Sequence, residues 1–244
     1  GLVVNFGLKN DGVEVIKQRI KKNTIPVGTN LAFTNDSSTS TVATAVADFA
    51  QSFSTLADTG DYFTINISCP IQTNDRLFWD PVALDELLKR LFTIPTTKPV
   101  FIKISPDMTP AIIDGVVAVA TRYPIAGFIV ANLTKDRNNV WVHDLNVPPT
   151  GGMSGKVVAE LADRAISQVY KKTQGKYVII GCGGIFSATD AYHKIGLGAS
   201  LVQIITGLIF EGPQLVSEIN LGLTKILRQN GYKNIQEAVG WRER

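Results

Sequence analysis

The stretch Asn66-Ile67-Ser68-Cys69-Pro70 sets a carboxamide, a hydroxyl and a thiol at the end of an apolar run, just before a proline that turns the chain. A thiol, with an unperturbed pKa near about 8.5, becomes a base or nucleophile when nearby positive charge lowers that value. The competing reading is an inert buried cysteine. Lys103 lies in Phe101-Ile102-Lys103-Ile104-Ser105-Pro106-Asp107, flanked by isoleucines in a run that reads as buried. An ammonium group is seldom left there without a partner, and it offers fixed positive charge to an anionic intermediate. A frayed strand whose lysine snorkels to solvent is the alternative. Two glycine-rich turns, Thr150-Gly151-Gly152-Met153-Ser154-Gly155-Lys156 and Gly181-Cys182-Gly183-Gly184, let backbone N–H groups approach a phosphate. With Thr206 after the last apolar run, they match the phosphate site that barrels build after their seventh and eighth strands. Neither turn is a Walker loop or a dinucleotide fingerprint. His143 and His193 read as surface residues, and Tyr62, Phe63, Trp79 and Trp141 as core or rim. No metal-ligand or serine-hydrolase constellation can be assembled.

These groups sit at the ends of short Val-, Ile- and Phe-rich runs: Ile25 to Leu31, Tyr62 to Ile67, Val100 to Ile104, Gly127 to Ala131, Tyr177 to Ile180 and Ser200 to Ile205. Near-continuous apolarity predicts strands buried on both faces. Helical spacing separates them, with Leu84, Leu87, Leu88 and Leu91 on one face and Val157, Leu161, Ala165, Ile166 and Val169 on another. Strands alternating with helices predict a parallel sheet. Asn30, Asn66 with Cys69, Lys103, Asn132, Gly183-Gly184 and Thr206 place polar or glycine residues at the carboxyl end of every strand, which favours a barrel over an open doubly wound sheet.

With 244 residues, 45% of them hydrophobic and 18% charged, the chain excludes disorder and coiled-coil architecture and reads as one domain over residues 1–244. Its 24 Lys and Arg against 21 Asp and Glu give a net charge of +3, scattered rather than striped, which argues against nucleic acid. Two cysteines make no disulfide framework and point to a reducing compartment. No apolar run reaches 18 residues, and Gly1-Leu2-Val3-Val4-Asn5 lacks the pattern of a signal peptide.

In order and spacing, Asn66 to Pro70, Lys103 to Asp107, Thr150 to Lys156, Ile180 to Ile185 and Gly198 to Gln203 resemble dihydroorotate dehydrogenases, over essentially the whole chain. The resemblance implies an FMN-containing (β/α)8 TIM barrel that oxidises dihydroorotate to orotate in pyrimidine biosynthesis. By position, Asn30, Asn66, Lys103, Gly155, Gly184, Ile205 and Thr206 correspond to flavin contacts, Asn66 and Asn132 to substrate contacts, and Cys69 to the catalytic base. In that scheme Cys69 takes a proton from the substrate, hydride passes to flavin N5, and Lys103 stabilises the negative charge that results. A cysteine base is similar to the soluble class 1 enzymes, which implies a cytoplasmic protein. Gly152 to Lys156 and the carboxyl-terminal third resemble class 2, which implies a quinone acceptor and peripheral membrane association. The longer match favours class 2.

Several positions depart from the family pattern. Ile71 stands in place of Asn, Ala131 and Leu133 in place of hydroxyl residues beside Asn132, and Val4 in place of a substrate-binding Asn. They leave room for another dihydropyrimidine or an enone as substrate, or for a degenerate, non-catalytic barrel. The family's first two strands, with a flavin-contacting loop and a substrate-contacting lysine, have no counterpart in this sequence. Six strands cannot close an eight-stranded barrel, so the expectation is that about 70 or more residues precede Gly1 in the natural protein. In class 2, a further amino-terminal helical segment would carry the quinone tunnel and any membrane contact.

Overall fold

The structure is a computed structural model that describes residues 1–20, 24–34, 36–68 and 76–244. Its strands are β1 (Leu2–Val4), β2 (Gly28–Leu31), β3 (Tyr62–Asn66), β4 (Val100–Ile104), β5 (Gly127–Val130), β6 (Gly152–Ser154), β7 (Val178–Cys182) and β8 (Leu201–Gln203). Its helices are α1 (Val13–Arg19), α2 (Val42–Thr55), α3 (Pro81–Leu91), α4 (Pro110–Ala120), α5 (Ala159–Thr173), α6 (Ala188–Gly196), α7 (Thr206–Glu211), α8 (Leu215–Gln229) and α9 (Ile235–Ala238).

Local chemistry starts and faces these helices. In α3, the Asp80 carboxylate accepts from the Val82 and Ala83 N–H groups and Pro81 occupies the first turn, where its missing N–H costs nothing. Leu84, Leu87, Leu88 and Leu91 then recur on one buried face, each burial contributing about 1.5–3 kcal/mol relative to exposure. Thr41 and Thr44 form a reciprocal cap at the start of α2.

Six strands pair in parallel in the order β2-β3-β4-β5-β7-β8. Because that order follows the chain, successive right-handed crossovers put their helices on one side of the sheet and curl it as the wall of a TIM-type barrel. The large core lies between helices and sheet, where Phe63, Ile65, Ile102, Ile104, Phe128, Val130 and Ile179 meet residues from α2 to α5. The opposite, concave face has its own small cluster, Phe101, Ile129 and Ile180. Beyond that cluster, toward the carboxyl ends of the strands, the concave face turns polar. At the β8 edge Leu201, Ile205, Ile209 and Phe210 are exposed.

Strand boundaries differ from the sequence pattern, most clearly at β2 and β8. The apolar run from Ile25 pairs only from Gly28, since Pro26 has no N–H for a ladder, and Ile25 is exposed. The last run pairs only over Leu201–Gln203, because the chain leaves the sheet to enter α7. The antiparallel ribbon of β1 with β6, pairing Leu2 with Ser154 and Val4 with Gly152, was not expected, three residues being too few to show a period.

Candidate active site

A cleft of about 230 Å³ opens at the carboxyl ends of the parallel strands. Lys103, Asn132, Gly155, Gly184, Ile205 and Thr206 line it, drawn from five separate stretches of chain. A larger crevice of about 630 Å³ lies between α4 and α5 and is lined by none of the candidate catalytic, cofactor or substrate residues. The smaller cleft is the candidate site because convergent polar groups, rather than volume, distinguish a site that does chemistry.

Lys103 and Asn66 are register partners on β4 and β3, so their side chains share the concave face. Lys103 is half-buried and faces the cleft, which goes against the alternative of a lysine snorkelling from a frayed strand. Asn66 is 3% exposed, and its Oδ1 accepts from the Ser68 N–H at 3.1 Å and the Ser68 hydroxyl at 2.8 Å. Asn132 Nδ2 donates to the Ser68 carbonyl and hydroxyl, both at 3.1 Å. Asn30 stands exposed on β2, and neither Asn30 nor Asn66 is in the cleft lining. Cys69 lies outside the described residues.

The β1–β6 ribbon brings Leu2, Val4, Ser154 and Gly155 to the cleft. Gly155 has φ +92°, and a Cβ there would come within 3.0 Å of Thr206 Cγ2. Beside it the buried Thr206 hydroxyl donates to Ser154 Oγ at 2.8 Å. Across the cleft, Gly184 has φ +74° and lies so close to the start of α5 that a Cβ would sit 2.4 Å from Ala159 Cβ. Without a Cβ, these two glycines let their turns pack closely against Thr206 and α5 while backbone N–H groups can approach an anionic, phosphate-bearing ligand.

Three contributors were not singled out from sequence. Cys182 lines the cleft, and the alternation of Ile180 and Cys182 on the concave face of β7 was the available signal. Burial pushes its thiol pKa up, against the pull of the Lys103 and Lys194 charges, so it stays a neutral thiol at physiological pH. Arg137 donates to the carbonyls of Pro148, Thr150 and Gly151 at 2.7–3.3 Å, fastening the β5–β6 connection to the glycine-rich turn. Nothing in local sequence marks it. Asp190 accepts from Phe186 N–H at 2.9 Å and Lys156 Nζ at 2.8 Å, tying the Gly183-Gly184 turn to the segment after β6.

Burial would raise the Asp190 carboxyl, but the Lys156 and Phe186 hydrogen bonds prevail and hold it below the ordinary carboxylate range. A depressed folded pKa contributes stability above the unfolded value, about 3.9 for Asp, and that contribution is lost as pH falls through the folded value. Solvent screening limits it to about 1 kcal/mol. Asp190→Asn is therefore expected to lower Tm by about 2–4 °C at pH 7, with the gap closing as pH falls below the ordinary Asp value of about 3.9. A gap that persisted in acid would mean that packing, rather than charge, is what the variant loses.

The dihydroorotate dehydrogenase family model matches residues 1–227. The dihydroorotate dehydrogenase (quinone) of Nostoc punctiforme is 37% identical, over 96% of this chain and 65% of its own length. That of Myxococcus xanthus is 36% identical, over 98% of this chain and 66% of its own length. The chain thus spans about two thirds of these curated relatives. Among solved structures, the ligand-free dihydroorotate dehydrogenase of Eimeria tenella superposes with a TM-score of 0.91 at 26% identity, covering 99% of this chain and 74% of that one.

Proposed function

The chain belongs to the dihydroorotate dehydrogenase family, and from that premise we propose that it oxidises dihydroorotate to orotate with FMN in pyrimidine biosynthesis, passing electrons to a quinone. The observation that carries this reading is the convergence, in one cleft at the strand ends, of a lysine, a carboxamide and two side-chain-free glycine turns.

The residues fit the cofactor. Gly155, Gly184, Ile205 and Thr206 would hold its phosphate end, where barrels of this type bind phosphate, and Lys103 its ring, while Asn30 and Asn66, which the family pattern also assigns to the ring, stand outside the cleft lining. Bound there, FMN supplies the hydride acceptor at N5. The protein's own work is orientation and proton management. Asn66 and Asn132 grip the substrate, Cys69 removes the proton from the carbon beside the one that gives up hydride, and the Lys103 ammonium lies where negative charge develops. Quinone as acceptor goes with peripheral membrane association, in line with what the curated relatives are called. Among the described residues no helix is long and apolar enough to cross a membrane.

A second reading rests on Val4 and Leu133. Both line the cleft where the family pattern has an Asn and a hydroxyl, which makes the ligand wall less polar. It keeps the flavin and changes the substrate to another dihydropyrimidine or an enone.

The purified protein is expected to be yellow, and anaerobic dihydroorotate to bleach its flavin band. Bleaching by an enone-type or alternative dihydropyrimidine substrate alone would select the second reading, and a colourless protein that takes up no FMN would exclude both. Lys103→Met keeps the aliphatic volume and removes the charge. A charged hydrogen bond contributes about 1.5–3 kcal/mol, so the flavin midpoint potential is expected to fall by about 30–65 mV in a two-electron couple. An unchanged potential would remove Lys103 from the flavin site.

A further inference from the structure

We infer that the crevice between α4 and α5 is a second binding site, one that takes an amphiphilic anion: a carboxylate or phosphate monoester on an apolar body. It shares no lining residue with the cleft at the strand ends, so a ligand there would leave both the flavin and the substrate in place.

The sign of the ligand follows from which charged groups of the crevice already have partners. Both carboxylates on its rim are engaged. Asp107 accepts from the Thr134 hydroxyl through Oδ1 and from the Lys135 N–H at 2.7 Å through Oδ2, and Asp136 Oδ1 accepts from the Asn138 N–H at 3.0 Å. The arginines are not. Arg164, exposed on α5, has no hydrogen bond or ion pair among the described residues. Arg76 lies over the Trp79 ring, 5.2 Å from its centroid, and likewise has no carboxylate partner among them. A guanidinium stacked on an aromatic face keeps its in-plane N–H donors for a carboxylate or phosphate. The first turn of α4, an 11-residue helix, also opens on the crevice through Thr109 and Pro110, and its partial positive charge has the same sign.

Between these charges the wall is apolar, formed by Met108, Ile113, Leu161 and Ala165. Met108, Ile113 and Ala165 also belong to the large core, which holds that wall in place. The width is held as well. Gln168 Nε2 on α5 donates to the Pro110 carbonyl at 2.7 Å and to Asp114 Oδ1 at 2.9 Å, both on α4, and Lys172 Nζ reaches Asp114 Oδ2 at 3.3 Å. These bonds set the gap between the helices before any ligand arrives, which lowers the ordering cost of binding. A volume of about 630 Å³ suits a bicyclic body with one anionic group. Neither a thiol nor an imidazole is among the described lining residues, so the site is built to bind rather than to react.

The test uses the full-length protein with and without added FMN and orotate, 1-naphthyl phosphate and 1-naphthoate as probes, and titration calorimetry. One saturable site with a Kd of about 1 mM or tighter is expected for at least one probe, and it is expected to persist when FMN and orotate are present. Inorganic phosphate and 1-naphthol, each carrying half of a probe, are expected to bind at least about 10-fold more weakly. Arg164→Gln and Arg76→Gln each weaken the probe by about 10- to 100-fold, as loss of a charged hydrogen bond does, while Arg228→Gln on α8 leaves it unchanged. Probe release on adding FMN or orotate would place the probe in the cleft and overturn the proposal. Absence of saturable binding, or an equal loss in Arg228→Gln and Arg164→Gln, would overturn it too.

Discussion

Cys69→Ala is expected to bind FMN as the unmodified protein does and to slow flavin reduction by dihydroorotate by about 10²- to 10⁴-fold, the range a general base contributes. The expectation starts from the residues just before it. Ile67 is tied to β4 through the Lys103 carbonyl and to Trp79 through its own carbonyl, and Ser68 to Asn132. The chain therefore enters position 69 from a fixed point beside both carboxamides. Pro70 follows in the sequence. Single-turnover reduction, followed anaerobically at the flavin band, isolates the proton-removal step from reoxidation. Cys69→Ser adds a second readout. A serine hydroxyl is a much weaker acid than a thiol, so the rate is expected to keep rising into more alkaline solution than with cysteine. Reduction of Cys69→Ala at the unmodified rate would remove the base from this position and return Cys69 to the inert reading its residue type allows.

Much of the architecture was visible in the chain because β3, β4 and β5 are covered on both faces. Their runs are apolar almost without a break, and a polar residue within one has to be explained. Lys103 was singled out in that way, and it lines the cleft. The helices showed equally well, since α3 repeats leucine on one face between a capping aspartate and a run of solvent-facing charge. What could not be read was anything set by chain meeting chain at a distance. Ser68 becomes a bridge only because Asn132, 64 residues later, arrives at the end of the neighbouring-but-one strand. Arg137 holds three carbonyls of a loop that has no regular period. The pairing of Thr206 with Ser154 spans 52 residues and joins two segments whose local patterns are unrelated. Cys182 lies between these cases. Its position on the concave face follows from strand alternation, but its place in the cleft depends on the curl of the sheet.

Gly184→Ala is expected to empty the cleft of FMN while leaving a folded protein, lowering flavin affinity by at least about 10²-fold, since the strain of overpacking is about 1–3 kcal/mol or more. Two costs coincide at this position. The backbone is left-handed at φ +74°, which costs a residue bearing a Cβ about 1–2 kcal/mol. The new methyl would also lie 2.4 Å from Ala159 Cβ and 2.8 Å from Ala159 Cα, the second of them main chain. Helix α5 cannot simply retreat, because Ala162, Ala165, Ile166 and Val169 anchor it in the large core. The strain is relieved instead in the Gly183-Gly184 turn, the part of the cleft that faces the cofactor phosphate in the proposed enzyme. Gly231→Ala separates the two costs. Gly231 has φ +76° with nothing within 4 Å of its would-be Cβ, so it carries the backbone strain without the collision. That variant is expected to lose about 1–2 kcal/mol of stability and no flavin affinity. Comparable flavin retention in the two variants would mean that the approach of Gly184 to α5 has no part in holding the cofactor.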